Sequence, residues 1–236
     1  MPAGLSQFLS SPLNPAAFGP LFSAFLLTAI QQGGKGILQL LRRGVDLGFK
    51  KIWLLAIFLV PIFVFGGSIF ASILAGIRPM DLSIISNPPY AMIAFFVILL
   101  TAGPLQEEFG WRGYALPRLQ SHFNALTSSL VLGFFWWLWH LPAVFIPGKF
   151  MADNLVVFLA LLVVITLTSI LFTWIYNNTN GSILASMLVH TSMNWSIWMM
   201  MPNMKMDLPT AGFMGVFLAV TVFIIIKASG PTHLKR

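Results

Sequence analysis

The sequence predicts an all-α, polytopic transmembrane helix bundle of about seven spans, and three observations predict it. Of its 236 residues, 58% are hydrophobic and only 8% are charged, where a soluble domain carries roughly one quarter charged residues. The apolar residues are gathered into nearly uncharged runs of about 17 to 25, the length a helix needs to cross roughly 30 Å of hydrocarbon. Runs such as 52–65 and 155–167 lack the two-residue alternation of a membrane β-barrel, so helices are the spanning element. One integral membrane domain over 1–236 is expected.

The elements follow in order. The first span, 16–31, is short and contains Pro20. In the connection 33–51, Ile37, Leu38, Leu40 and Leu41 stand beside Lys35, Arg42, Arg43, Lys50 and Lys51. That basic amphipathic pattern suits an anionic lipid surface, and an ordinary cytoplasmic loop accounts for it equally well. Spans at 52–74 and 90–105 are separated by Asn87-Pro88-Pro89; spans at 125–146 and 154–176 by Pro147-Gly148. The run Asn177-Asn178-Thr179-Asn180-Gly181 then leads to 182–201 and 209–226. Met199, Met200, Met201, Met204 and Met206 read as a flexible apolar patch at a helix end.

The net charge of +7 does not call for nucleic acid, because the lysines and arginines fall between and after the apolar runs, as topology signals do. With the N-terminus outside, the inner connections collect Lys35, Arg42, Arg43, Lys50, Lys51, Arg112, Arg118, Lys227, Lys235 and Arg236, leaving only Arg78, Lys149 and Lys205 outside. Such a bias places the 107–118 connection on the cytoplasmic side of a multi-pass protein, with the plasma membrane the expected location. Cysteine is absent, which excludes disulfides, thiolate metal sites and a cysteine nucleophile. No basic residue precedes the first apolar run, so a cleaved signal peptide is not expected.

Three local patterns carry chemistry. Gln106-Glu107-Glu108-Phe109-Gly110-Trp111-Arg112 puts two carboxylates at a membrane boundary, expensive unless paired, solvated or protonated. On a helix Glu108 and Arg112 share a face and pair, while Glu107 points about 100° away and is available as a base. An acidic–basic cluster that merely ends a helix has even standing on local pattern alone. His140 follows Trp136 by four residues deep within the fourth span; it could orient water or bind a metal, though a packed, satisfied histidine is the commoner case. His190 and Asn194, again four apart, can offer N–H donors to one point, as an oxyanion requires. Taken singly, an interhelical pair worth about 0.6 kcal/mol is the commoner case. Their conjunction shifts the balance, since intramembrane ionisable groups are functional candidates by default.

With these residues in view, the chain resembles the CPBP intramembrane proteases, which include type II CAAX prenyl endopeptidases and bacteriocin-processing or bacteriocin-immunity (Abi) proteins. The family's E-E-x-x-x-R motif matches Glu107, Glu108 and Arg112, and its H-x-x-x-N motif matches His190 and Asn194. Its F-x-x-x-H motif matches His140, with Trp136 where phenylalanine is usual, a change that keeps an aromatic wall. The likeness runs from roughly Leu99 to Trp198, within a core of about 90–201. It implies hydrolysis of a peptide bond by water activated between Glu107 and His140, with Glu108 and Arg112 supporting Glu107 and with His190 and Asn194 on the oxyanion. It also implies a peptide or protein substrate, prenylated in the CAAX branch, and often a further N-terminal span.

Alternatives stay open. Glu107, His140 and His190 could form a His₂Glu site for a divalent metal such as Zn²⁺, although no H-E-x-x-H helix pre-sets two ligands. A non-catalytic immunity protein, or a peptide- or ion-binding protein on the same scaffold, fits the polar residues too. A haem held by His140 and His190 would explain the histidines but not the carboxylates. The register also poses a difficulty. At 1.5 Å per residue His190 stands ~12 Å above Ser182 and His140 ~22 Å above Ala125, while Glu107 ends its span near the inner surface. For them to meet around a polar cavity, either the third span continues past the glutamates or the fourth begins below the membrane plane through 118–123.

Overall fold

The computed structural model describes residues 14–81, 83–84, 86–146, 154–202 and 205–235. Pro147, Gly148, Lys149, Met204 and Arg236 lie outside the described residues. All regular structure among those described is helical, in eight rods: α1, Gly19–Gly44; α2, Trp53–Leu74; α3, Pro88–Thr101; α4, residues 104–120; α5, Ala125–Trp139; α6, Leu155–Asn178; α7, Ile183–Met200; and α8, Leu208–Ser229. By length and composition five stretches can cross a membrane: Trp53–Leu74, Pro88–Gln120, Ala125–Phe145, Leu155–Asn178 and Leu208–Ser229. The remaining two expected segments are α1, kinked and basic in its second half, and α7, rich in polar side chains.

Several boundaries differ from those read in the sequence, each for a local reason. α1 does not end near residue 31; it kinks at Gly33, whose φ of 63° only glycine adopts readily, and resumes to Gly44. The basic 33–51 connection is therefore helical over its first half, with Leu40 buried and Lys35, Leu38, Leu41 and Arg42 exposed. The third span breaks at Ala102 and Gly103 (φ 106°), and Pro104 then starts α4, which widens to a π-turn over Phe109–Ala115. α5 stops at Trp139, because the proline at 142 disfavours helix in the residue before it, and a 3₁₀ turn covers Leu141–Phe145. His140 therefore caps the α-helix, five residues before the end of the Ala125–Phe145 stretch.

α7 is the central rod, touching α1, α2, α3, α4 and α6. Surrounded in this way it can carry hydroxyls and an imidazole without meeting lipid. Thr191, Ser192 and Ser196 return their hydroxyl protons to carbonyls one turn back, at 2.7, 2.8 and 2.6 Å, so their polarity is absorbed locally. α5 crosses α6 at Gly133, where a Cβ would stand 2.7 Å from Thr166 Cα and 3.0 Å from Ser169 Cβ. Small residues at such crossings let membrane helices approach backbone to backbone.

The two ends of the bundle are tied differently. At one end the Arg43 guanidinium donates to Gly181 O (3.0 Å), to Gly113 O (3.2 Å) and to the Tyr176 hydroxyl. The Ser182 hydroxyl donates to Asp46 O at 2.7 Å. The C-terminal tail crosses the same end: Pro231 O and Thr232 O accept from Leu126 N and Ala125 N, satisfying donors that the start of α5 leaves open. Asn177 and Asn178 donate to His233 O and Leu234 O, both at 2.8 Å. At the other end Arg78 pairs with Asp207 at 3.1 Å and donates to Lys205 O. Arg43 thus stands at one end and Arg78 at the other, while Arg112, assigned by the sequence to an inner connection, is wholly buried.

Replacing Gly133 with Val forces a branched side chain into the α5–α6 crossing. The expected outcome is a loss of about 1–3 kcal/mol, measured as a lower unfolding midpoint of the purified protein in mild detergent, with helix content unchanged.

Candidate functional site

α4 supplies the acidic face of the site. Glu108 and Arg112, one turn apart, form an ion pair of 2.9 Å with both side chains fully buried. The same oxygen, Glu108 Oε1, accepts from His190 Nδ1 at 2.8 Å, so one carboxylate joins α4 to α7. The Arg112 guanidinium lies between two aromatic faces, 4.5 Å from the Trp136 ring of α5 and 4.8 Å from the Phe172 ring of α6. Cation–π contact of this kind is strongest where water is excluded. Among the described residues Glu108 Oε2, Arg112 Nε and Arg112 Nη2 find no hydrogen-bond partner, and buried polar atoms in this position are the ones ordered water satisfies.

Glu107 faces the other way, as its 100° offset requires. It is 9% exposed, and it is not left free: Oε2 accepts from Trp136 Nε1 at 2.6 Å and from Trp111 Nε1 at 3.3 Å. Its second oxygen turns toward Gly103. A Cβ built on Gly103 would lie 3.1 Å from Glu107 Oε1 and 3.3 Å from both Cε1 and Nε2 of His190. Glycine at 103 is thus required twice, for its positive φ and for the space between carboxylate and imidazole. The break it creates is secured from α7, where Asn194 Nδ2 donates to Ala102 O at 2.8 Å. The expected common face of His190 and Asn194 is borne out by their meeting consecutive residues.

His140 joins through Trp136. Its Nδ1 stands 2.7 Å from Trp136 O, and the ring centroids are 6.1 Å apart. A carbonyl only accepts, so Nδ1 carries the proton and Nε2 of the neutral ring is left as an acceptor. α4 continues past the glutamates to Gln120, the first of the two adjustments expected, and Glu107 and His190 meet at Gly103, whereas His140 reaches the cluster through Trp136. Little of the cluster meets the outer surface, His190 being 3% exposed. Grooves of about 400 and 350 Å³ lie elsewhere, between α2 and α8 and between α5 and α6, lined chiefly by apolar side chains.

Sequence reasoning missed three contributors. Trp111 was within reach, being four residues from Glu107 on one helix. Trp136 was read as a wall and not as a donor, and Phe172 carries no sequence signal at all. As for a metal, among the described residues no three His, Asp or Glu side chains are grouped closely enough to hold one.

Fold and cluster together define a class: a polytopic helical membrane protein with a carboxylate–imidazole–guanidinium core buried in its bundle. Residues 89–196, which hold all three motifs, match the family model described as type II CAAX prenyl endopeptidase Rce1-like. Over 107 residues the chain is 33% identical to the CAAX prenyl protease 2 of Methanococcus maripaludis, covering 42% of this chain and 37% of that relative. The likeness to CPBP proteases drawn from the motifs is borne out over that segment, and it spans well under half of the relative's length.

Removing one member of the buried ion pair should cost more than removing both charges. Arg112→Leu is expected to destabilise the protein by about 3–5 kcal/mol, and the double variant Glu108→Gln/Arg112→Leu by less. Unfolding titrations of the two variants and of Glu108→Gln close the cycle.

Proposed function

We propose that the protein is an intramembrane endopeptidase in which Glu107 activates water to hydrolyse a peptide bond. The observation that carries the reading is the convergence of Glu107 Oε1 and the His190 ring on Gly103, at a helix break inside an otherwise apolar bundle. Glu107 takes a proton from water as the oxygen adds to the scissile carbonyl carbon. The same proton passes to the amide nitrogen as the C–N bond breaks, and the carboxylate is restored. His140, with Nε2 free to accept, orients that water together with Glu107. The developing oxyanion is met by His190 Nε2 in its protonated form and by the second N–H of Asn194, the first being engaged on Ala102. Glu108 and Arg112 hold His190 and the frame around it.

The relative's name supports a substrate of CAAX type, prenylated and carried on a peptide or protein, and maturation of another membrane peptide suits the same chemistry. The excess of basic residues on one set of connections supports a site reached from the cytoplasmic side of the cell membrane. The closed packing of the cluster also suits a second reading, a non-catalytic bacteriocin-immunity or peptide-binding protein on this scaffold. One substitution separates the two. Glu107→Gln is expected to lower cleavage of an internally quenched farnesylated peptide by about 10²–10⁴-fold at unchanged expression and folding; wild-type cleavage by the variant contradicts the assignment. Chelation, with metal analysis of the active protein, is expected to leave the rate unchanged, whereas loss on chelation and recovery on zinc add-back would establish the metal route.

A further inference from the structure

Trp136 touches every ionisable group of the cluster outside Glu108. Its indole N–H donates to Glu107, its face lies on Arg112, its edge meets the His190 ring at 5.4 Å between centroids, and its carbonyl holds His140. The contact with Glu107 is the shortest of these, 2.6 Å, as expected of a donor on a charged acceptor in a dry site. Trp111 adds a longer bond of 3.3 Å to the same oxygen. Two donors from two helices, α4 and α5, therefore fall on Oε2 and leave Oε1 facing Gly103 and His190.

We propose that Trp136 and Trp111 clamp Glu107 by Oε2, so that Oε1 is the single oxygen that takes the proton from water, with Trp136 the dominant positioning residue. The inference rests on the hydrolytic reading and deepens it. A carboxylate end rotates over a broad, two-fold torsion, so an unclamped Glu107 would present either oxygen in a spread of orientations. Fixing one oxygen fixes the other, and orientation is a large part of what an active site contributes. An indole suits the task because it only donates: it cannot accept the proton that Glu107 must take. A phenylalanine, usual at this place in the resembled family, supplies the ring but not the N–H. Trp136→Phe therefore removes the clamp and keeps the contacts to Arg112 and His190.

The test joins a spectrum to a rate, in purified full-length protein reconstituted in lipid nanodiscs. With indole ¹⁵N labelling of the 8 tryptophans, the Trp136 signal is identified by its loss in Trp136→Phe. It is expected far downfield in the proton dimension and is expected to move upfield in Glu107→Gln by more than any other indole signal. Against the internally quenched farnesylated peptide, Trp136→Phe should lower kcat by about ten- to a hundredfold with KM within about twofold, and Trp111→Phe should lower it less. A Trp136 signal indifferent to Glu107→Gln, or a Trp136→Phe protein with wild-type kcat, overturns the clamp while Glu107-dependent cleavage still stands. If the wild type leaves the peptide uncut, or if Glu107→Gln cuts it as well as wild type, the hydrolytic reading falls with the role given to the clamp; the indole signal still decides whether the clamp exists.

Discussion

A guanidinium wholly withdrawn from solvent, that of Arg112, sets the terms on which the rest of this bundle packs. Charge in a medium of low dielectric costs several kcal/mol unless a counter-ion and close polarisable surfaces compensate it. Here Glu108 supplies the counter-ion from the next turn, and Trp136 and Phe172 supply the surfaces from two other helices. Because Glu108 Oε1 also accepts from His190, the same compensation fixes the central helix α7 against α4. Four rods are thus tied to one buried charge, and the remaining polar groups of the site inherit their positions from it.

The backbone gives way where side chains must converge. An uninterrupted helix from 88 to 120 would carry its carboxylates past α7 at a fixed pitch. The break at Ala102 and Gly103 redirects the chain, and the π-turn at Phe109–Ala115 shifts its register below the glutamates. Carbonyls freed by such a break need new donors when water is scarce, and Asn194 provides one. Irregular backbone in a membrane is tolerated where it is buried in protein, and here it is also where the chemistry sits. π-turns often mark functional sites for the same reason: the extra residue turns side chains onto faces the regular helix does not offer.

Much of the bundle was legible in the residues. The limits of α2, α6, α7 and α8 lie within a few positions of their apolar runs, because prolines, asparagines and glycines punctuate them sharply. The Glu108–Arg112 pair and the shared face of His190 and Asn194 followed from helical spacing alone. Legibility failed where two physical effects compete. Gly33-Gly34-Lys35-Gly36 reads as a break, yet packing carries the helix on to Gly44 through a single kink. Pro142 could have warned that α5 ends before His140, but the apolar run continues past it and hides the stop. Spacing along one helix also cannot name partners on another, so the N–H of Trp136, visible in the sequence only as aromatic bulk, gave no sign that it would fall on Glu107.

One buried carboxylate, that of Glu108, joins α4 to α7 and so brings the two halves of the site together. The most direct measurement is an experimental density map of the protein in a lipid nanodisc, resolved to side chains. Glu108 is expected within hydrogen-bonding distance of both Arg112 and His190, with the ring of His190 against Gly103. A map in which α7 is rotated, with His190 and Asn194 turned toward lipid or Glu108 paired elsewhere, would contradict it.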